Sequence, residues 1–386
     1  MSRIDDLIAE YCPDGVKHQT LGEIGEFIRG NGIQKRDFQD SGFGCIHYGQ
    51  IYTYYGLFAD HTKSFIDPNL AEKRKKAYKG DLVIATTSEN EEDVCKACAW
   101  LGEEPIAISG DAYIFRHHQN PKYISYCFQS ELFQSQKKKY ITGTKVLRVN
   151  GDAMAKIHVP VPPLPVQEEI VRILDSFSSL EAELEAELEA RRKQYTHYRD
   201  ELLKFERVLI ASLGELCKIS VGRKNGTAGE FGEYPYVNAG TSMSGFVNEW
   251  SEEGDCVTTP SRGQGGMGFV AYQASRFWCG PLCYVMRSKH SDVMIKYVYY
   301  YLCSHKADIL GLVYEGGTPA INKSELAGLR ILVPPFEEQQ RIVSILDRFD
   351  KLTNDLSSGL PAEIEARHKQ YEYYRDRLLS FDELAA

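Results

Sequence analysis

The stretch Val161-Pro162-Pro163-Leu164-Pro165-Val166-Gln167-Glu168-Glu169-Ile170-Val171-Arg172-Ile173-Leu174-Asp175-Ser176-Phe177-Ser178-Ser179-Leu180 returns 172 residues later as Val333-Pro334-Pro335-Phe336-Glu337-Glu338-Gln339-Gln340-Arg341-Ile342-Val343-Ser344-Ile345-Leu346-Asp347-Arg348-Phe349-Asp350-Lys351-Leu352. Eleven of the 20 positions are identical, where average composition would give about one or two. A second block, Glu189 to Phe205, returns at a shift of 176 as Glu365 to Phe381 with 12 of 17 identities, among them Lys193-Gln194-Tyr195/Lys369-Gln370-Tyr371 and Tyr198-Arg199-Asp200/Tyr374-Arg375-Asp376. The chain is therefore an internal duplication, and its fold must be read as one plan used twice.

Both copies carry helical periodicity. Ile170, Ile173, Leu174 and Phe177, then Leu180, Leu184 and Leu188, then Tyr195, Tyr198, Leu202 and Phe205 recur at steps of three and four, which places them on one helix face. Ser178-x-x-Glu181 has capping-box spacing, and the four extra residues of the second copy fall around Ser357-Ser358-Gly359-Leu360-Pro361, a turn signal. Each copy is therefore expected to hold two helices. The run Glu181, Glu183, Glu185, Glu187, Glu189 followed by Arg191, Arg192, Lys193 suits an exposed helix with a single apolar seam. That seam favours packing against a partner helix over packing on its own domain alone. The expected partner-helix or subunit interface is Gln167, Ile170, Leu174, Phe177, Leu184, Tyr195, Tyr198 and Leu202 in the first copy, and Gln339, Ile342, Leu346, Phe349, Tyr371, Tyr374 and Leu378 in the second. Antiparallel pairing of the copies would create a pseudo-twofold axis. A helix over 181–206 would span about 39 Å, close to one turn of duplex DNA at about 34–36 Å.

The remaining sequence is longer and less repetitive. The 386 residues exceed what one core usually serves, and the net charge of -9 is unevenly spread. Residues 1–160 carry -1 and 207–335 carry +1, whereas 161–206 carry -5 and 336–386 carry -4. Phosphate attraction depends on local potential, so the acidic segments exclude a polyanion and the two large ones do not. These segments read as domains over 1–160 and 207–335 and helical spacers over 161–206 and 336–386. Weak echoes link the large segments: Leu21-Gly22-Glu23-Ile24 with Leu213-Gly214-Glu215-Leu216, Gly80-Asp81 with Gly254-Asp255, and Tyr140-Ile141-Thr142-Gly143-Thr144 with Tyr314-Glu315-Gly316-Gly317-Thr318. Short apolar runs such as Cys45–Tyr48, Leu82–Ala85, Ala112–Phe115, Tyr234–Val237 and Leu282–Met286 read as strands, with a later helix in each segment around 121–135 and 292–305. The expected fold class is α+β: two mixed α/β domains separated by two long antiparallel helical spacers.

Composition excludes several classes. Hydrophobic residues at 43% and a mean hydropathy of -0.36 fit a folded chain, and neither an apolar run of about 18 residues nor an N-terminal leader pattern is present. A cytoplasmic protein without a membrane span is expected. Ten scattered cysteines should then stay reduced. Cys95-Lys96-Ala97-Cys98 has zinc-knuckle spacing, but Cys279 and Cys283 form the only comparable second pair and no His-x3-5-His completes a ligand set, so the sequence reads against a metal.

The Val-Pro-Pro-Leu/Phe block leading into Gln-x-x-Ile-Val-x-Ile-Leu-Asp, present twice after an upstream Gly-Thr, resembles the specificity subunit of type I restriction-modification systems over nearly the whole chain. One departure is Val166, where the second copy has Glu338; the missing carboxylate either weakens a contact to a shared partner or is tolerated. The resemblance implies that each large segment is a target recognition domain docking one half of a split site in double-stranded DNA. The helical blocks would hold two methyltransferase (modification) subunits, joined by restriction (motor-nuclease) subunits. It implies no cofactor in this chain, with S-adenosylmethionine, ATP and Mg on the partner subunits.

Phosphate contacts need Lys, Arg or backbone N–H, and base readout needs Arg, Lys, Asn, Gln or hydroxyls. The first segment offers Asn31, Gln34, Lys35 and Arg36 after Gly30, the run Lys73, Arg74, Lys75, Lys76 and Lys79, then Lys137, Lys138, Lys139 and the weaker candidate Lys145. The second offers Arg223, Lys224 and Asn225, then Ser261, Arg262 and Gln264 among glycines, and the weaker Lys323. Gly263–Gly268 lacks the Lys-Ser/Thr of a nucleotide loop and reads as a flexible reading loop, and His117-His118 reads as structural.

No catalytic motif is found. An adenine methyltransferase would need Asn/Asp-Pro-Pro-aromatic, whereas both Pro-Pro pairs here follow valine, and neither an ATP-binding Gly-x4-Gly-Lys-Ser/Thr nor a nuclease cluster occurs. The main expectation is a non-catalytic DNA specificity subunit, with domain centres about 40 Å apart, roughly 12 base pairs, and an unread gap on the order of seven. A coiled-coil scaffold and a stand-alone regulator of a split operator remain alternatives. Salt-dependent DNA binding separates the scaffold from the other two, and a requirement for methyltransferase subunits separates those two from each other.

Overall fold

The computed structural model describes residues 3–224, 228–314, 316–355 and 357–384. The chain forms two compact units, and neither is continuous with a single copy of the repeat: Met1–Glu183 with Glu365–Ala386 form the first, and Leu184–Ile364 form the second.

The first unit opens with the helix Arg3–Tyr11 and the antiparallel pair His18–Thr20/His158–Pro160. Thr20 caps the short helix Leu21–Ile24 in a full capping box with Glu23, which satisfies backbone donors that a helix start leaves open. The main sheet runs Gly25–Arg29, Ala112–His117, Leu82–Ala85, Lys96–Trp100 and Phe58–Ala59, antiparallel except for the last pair. A second sheet of four strands is built from Ser64–Ile66, Phe43–Ile46, Ile106–Ile108 and Lys76–Ala77. The strand expected over Cys45–Tyr48 stops at Ile46, because His47 accepts from the Gly49 amide and caps the helix Tyr48–Thr53. Helices Pro121–Gln129 and Glu131–Lys137 cover the main sheet, and Tyr123, Tyr126, Phe128 and Phe133 are buried beneath them.

The second unit repeats this plan with fewer additions. Ser212 and Glu215 form the same capping box, Leu209–Ser212 pairs Arg330–Val333, and the main sheet runs Cys217–Val221, Cys283–Ser288, Cys256–Pro260 and Ala271–Gln273, all antiparallel. The helix Ile295–Ser304 takes the place of Pro121–Gln129. Gly22 and Gly214 explain one conserved echo: a Cβ on Gly22 would lie 3.1 Å from Ala155 Cβ, and one on Gly214 would lie 3.0 Å from Ala327 Cβ.

The helical blocks differ between copies. The second is two helices as expected, Phe336–Asn354 and Leu360–Leu378, but the first is one helix of 39 residues, Leu164–Leu202. No Gly or Pro occurs from Val166 to Leu202, and Ala, Leu and Glu are good helix formers. Glu181 does not act in a capping box; its Oε1 lies 3.3 Å from His368 Nδ1 on the C-terminal helix. In the second copy Asp355 accepts from the Ser357 amide at 2.8 Å and from the Ser357 and Ser358 hydroxyls at 2.6 Å, and this turn interrupts the helix.

Candidate nucleic-acid interface

The start of each helical block is an anchor into its own unit. Gln167 is buried, donates to Pro162 O at 2.8 Å and accepts from the Asn120 amide at 3.0 Å; Gln339 is buried, donates to Pro334 O at 2.9 Å and accepts from the Met294 amide at 2.9 Å. Asp175 then receives Lys122 Nζ at 2.7 Å and the Tyr126 hydroxyl at 2.8 Å, and Asp347 receives Lys296 at 2.7 Å and Tyr300 at 2.5 Å. Ile170 and Leu174 lie in the first core, and Ile342 and Leu346 in the second. This corrects the expected interface: Gln167, Ile170, Leu174, Gln339, Ile342 and Leu346 are spent on their own domain.

The copies meet further along. Phe177 stacks on Tyr374 with centroids 5.4 Å apart in the first unit, and Tyr198 stacks on Phe349 at 5.7 Å in the second, with Tyr195 at 6.3 Å. Tyr371 and Leu378 join the first core, and Tyr195 and Leu202 pack on the second. Leu184 is half-buried in the second unit. Val166, where a carboxylate was missing, is fully buried in the core that also holds Ile4 of the N-terminal helix. The ion pair that Glu338 makes with Arg341 is made in the first copy by Glu169 and Arg172, with Arg3 3.4 Å from Glu169. At this position the first copy buries an apolar side chain in its core in place of the carboxylate.

Opposite these anchors, both units build the same sheet end. Gly30 donates to Ala112 O at 2.9 Å and Gly222 to Cys283 O at 3.0 Å; Asn31 donates to Ile108 O at 3.1 Å and Arg223 to Cys279 O at 2.7 Å. A Cβ on Gly30 would lie 2.2 Å from Ser109 O, and one on Gly222 2.1 Å from Gly280 O, so both positions require glycine for this close approach. Arg29 pairs Tyr113 and Ala85 pairs Ala112, as Val221 pairs Tyr284 and Pro260 pairs Cys283. The loops after these strands therefore gather at one end of each sheet.

In the first unit this brings two sequence candidates together. Asn31 donates to Lys73 O at 3.2 Å and accepts from the Lys75 amide at 2.8 Å, joining the loop of exposed Gln34, Lys35 and Arg36 to exposed Lys73 and Lys75. The Asn31 amide is thus engaged on backbone, which corrects its expected role in base reading. Arg74 is half-buried and approaches Gly32, and Lys76 is half-buried 5.6 Å from the Phe43 ring. Lys79 is not brought to this end: it pairs with Glu103 and precedes the far end of the strand Leu82–Ala85.

Lys137 is a correction of another kind. It is 1% exposed, and its ammonium donates to Glu91 O at 2.7 Å, Val94 O at 3.0 Å and Glu92 O at 3.3 Å. Burial lowers its pKa, and it closes a loop instead of meeting phosphate. Lys138 and Lys139 remain exposed on the following turn, and Lys145 is exposed between Thr142 and Arg148.

In the second unit Arg223 and Lys224 are exposed, as are Arg262, Gln264 and Lys323, with Ser261 half-buried. Asn225 and Glu315 lie outside the described residues. Sequence reasoning missed Arg29, Arg148 and Asn150, which line a cleft of about 390 Å³ with Thr86, Thr87 and Thr142. Arg29 stands beside Gly30 and Arg148 lies just past Gly143-Thr144, so proximity to those two landmarks was the available signal. The structure also shifts one echo: bridges Thr142↔Arg148 and Tyr314↔Ala320 equate Thr142, not Tyr140, with Tyr314.

Among the described residues no group of three His, Cys, Asp or Glu is arranged to hold a metal, and no helix is long and apolar enough to cross a membrane. Cys95 and Cys98 are buried, and burial pushes both thiols up to about 12, away from the thiolate form that metals bind.

Two α/β units with duplicated helical anchors and divergent loops at one sheet end define the class as a duplicated recognition scaffold. The chain matches the type I restriction modification DNA specificity domain over residues 13–190 and again over 208–366, and it belongs to that family. It is 35% identical over 273 residues to the specificity subunit of a type I restriction enzyme from Escherichia coli, covering 60% of this chain and 65% of that one. It is 32% identical over 244 residues to a type I specificity subunit of Mycoplasma pneumoniae, covering 59% of this chain and 94% of the relative. In fold it is similar to the S subunit of a type I restriction-modification system from M. genitalium, with a TM-score of 0.62 at 14% identity over 94% of this chain and 96% of that one. It is also similar to a chain from a structure of type I system assembly and conformational transition, with a TM-score of 0.59 at 16% identity over 95% and 98%.

Proposed function

We propose that this chain reads a bipartite, asymmetric site in double-stranded DNA and positions methyltransferase subunits on it, without an active site of its own. The supporting observation is the sheet end built twice around Gly30 and Gly222, which carries unlike polar and basic loops in the two units. A shared frame with divergent loops suits two different half-sites. Residues 1–160 and 207–335 act as the target recognition domains, and 161–206 and 336–386 as spacers and docking sites for two methyltransferase (modification) subunits. Restriction subunits complete the assembly in the cytoplasm, giving an adenine DNA methyltransferase and ATP-dependent endonuclease. S-adenosylmethionine, ATP and Mg belong to those partners. Exposed Gln34, Lys35, Arg36, Lys73, Lys75, Arg223, Lys224 and Gln264 serve phosphate and base contact.

Co-expression with the cognate methyltransferase subunit, in a host lacking adenine methylation, tests this by genome-wide mapping of modified adenines. The expected result is a split motif of constant gap that disappears when this chain is omitted. A stable complex that modifies nothing would instead support a protein scaffold, and DNA binding at a split site without methyltransferase would support a stand-alone regulator.

A further inference from the structure

At the loop end of each unit lies a short rung of three backbone segments, built alike. In the first unit Thr142 bridges Arg148, and Arg148 pairs Thr87; in the second Tyr314 bridges Ala320, and Ala320 bridges Arg262. The hydrogen bonds repeat: Thr142 and Arg148 exchange N–H to O at 2.9 and 2.8 Å, Tyr314 and Ala320 at 2.8 and 3.3 Å, and Val149 donates to Thr86 O at 3.2 Å as Ile321 does to Ser261 O at 2.9 Å. The rungs are thus position-for-position equivalents, although the sequences around them have diverged.

Each rung carries one arginine, on different segments: Arg148 is central in the first unit, where the second has Ala320, and Arg262 is lateral in the second, where the first has Thr87. Both are exposed, and neither guanidinium has a hydrogen-bond or ion-pair partner among the described residues. Cross-strand partners share a face of the ladder, so moving the arginine between partners keeps it on the same face and displaces its anchor by one strand spacing, about 4.8 Å. A rise per base pair is about 3.4 Å. A guanidinium on a backbone segment tied by cross-strand pairing, in the first unit within a polar cleft with Arg29 and Asn150, has the planar donor fork that recognises guanine O6 and N7.

We infer that Arg148 and Arg262 are equivalent guanine-reading residues, one per half-site, and that their placement on different strands sets different guanine positions in the two half-sites. This rests on the proposed function. The test uses the chain assembled with its methyltransferase subunits, as wild type, Arg148→Ala, Arg262→Ala and, as a control at the far sheet end, Lys79→Ala, each checked for an unchanged thermal transition. In methylation maps Arg148→Ala should relax one position of one half-site and Arg262→Ala one position of the other, each by about tenfold or more, with Lys79→Ala unchanged. Binding to duplexes with 7-deazaguanine at single sites covers the case in which modification is lost altogether. The analogue should weaken the wild type at one guanine per half-site, and that penalty should vanish in the matching arginine variant. A uniform fall with an unchanged motif, or an analogue penalty that persists in both variants, overturns the assignment. A wild-type assembly without any split motif overturns the underlying function instead.

Discussion

His117 shows how a residue with no functional partner still leaves a measurable mark. Its ring is buried beside Phe115, Nδ1 accepts from the Gln119 amide at 3.1 Å, and Nε2 is buried with no hydrogen-bond partner among the described residues. Burial lowers its pKa from 6.5 to about 4. The unfolded chain therefore binds this proton first, so the full stability present above about pH 6.5 is lost as pH falls toward 4. The loss is on the order of 3 kcal/mol once both states are protonated, and His47, also depressed by burial, acts in the same direction. Urea midpoints measured at pH 7 and pH 5 should fall in the wild type, and His117→Asn, which keeps an acceptor for the Gln119 amide, should reduce that fall. Lys137 permits a sharper contrast. Lys137→Ala should lower stability by about 1–3 kcal/mol by stripping donors from buried carbonyls while leaving the salt dependence of DNA binding unchanged. Lys73→Ala should leave stability unchanged and reduce the magnitude of the log K against log salt slope by about 0.9. The sequence could not separate these two lysines, since both sit in basic runs; only the side chain's direction does so.

At the scale of elements, the periodic signals were legible and the interruptions were not. The apolar steps from Ile170 to Leu202 announced a helix, and the turn at Ser357–Pro361 announced a break, because both depend on local chemistry. Ser178-x-x-Glu181 misled because a capping box competes with continued helix, and nothing nearby stops the helix. The seam also concealed a change of role, from anchoring in its own unit at Gln167–Leu174 to packing on the other copy from Phe177 onward. Periodicity reports that a face is buried, not what buries it. Ala182-Glu183-Leu184-Glu185-Ala186-Glu187-Leu188 lies between the contact that Glu181 makes with His368 and the one that Tyr195 makes with Phe349, so it tolerates added length in register. Four residues inserted there as another Leu-Glu-Ala-Glu add about 6 Å of helix, and the unread gap of the methylated motif should lengthen by about one or two base pairs with both half-sites unchanged. Two inserted residues rotate the following helix by about 200° and should abolish modification. A gap that stays constant after the four-residue insertion would remove the spacer from its proposed role as ruler.

For the whole molecule, the duplication and the pairing of the two copies' helices were visible in sequence, and Phe177 on Tyr374 and Tyr198 on Phe349 bear out that pairing; that each helix also enters the core of the other copy's unit was not, since identity at a shift of 172 or 176 says nothing about which core a helix completes. Each core is completed by helix from the other copy. Tyr371 is 5% and Leu379 2% exposed in the core of the first unit, with the Tyr371 hydroxyl 3.1 Å from Gln129 Oε1 and Asp376 accepting from the Glu131 amide at 3.0 Å. Leu203 is 1% exposed in the core of the second unit, where Asp200 accepts from Ser304 Oγ at 2.7 Å. The tail also ties back to the start of the chain, with Val16 donating to Asp382 O at 2.9 Å and Leu384 to Val16 O at 3.1 Å. Truncation after Gly359 therefore removes two buried side chains and this pairing from the first unit, and burial of two large apolar side chains alone is worth about 3–6 kcal/mol. From the second unit it takes only Leu360–Ile364. Hydrogen exchange on the truncated chain should show amides of Pro121–Lys137 and His18–Thr20 losing protection, while Cys256–Pro260 and Ile295–Ser304 retain theirs. Undiminished protection in the first unit would mean that its core closes without the second copy's helix.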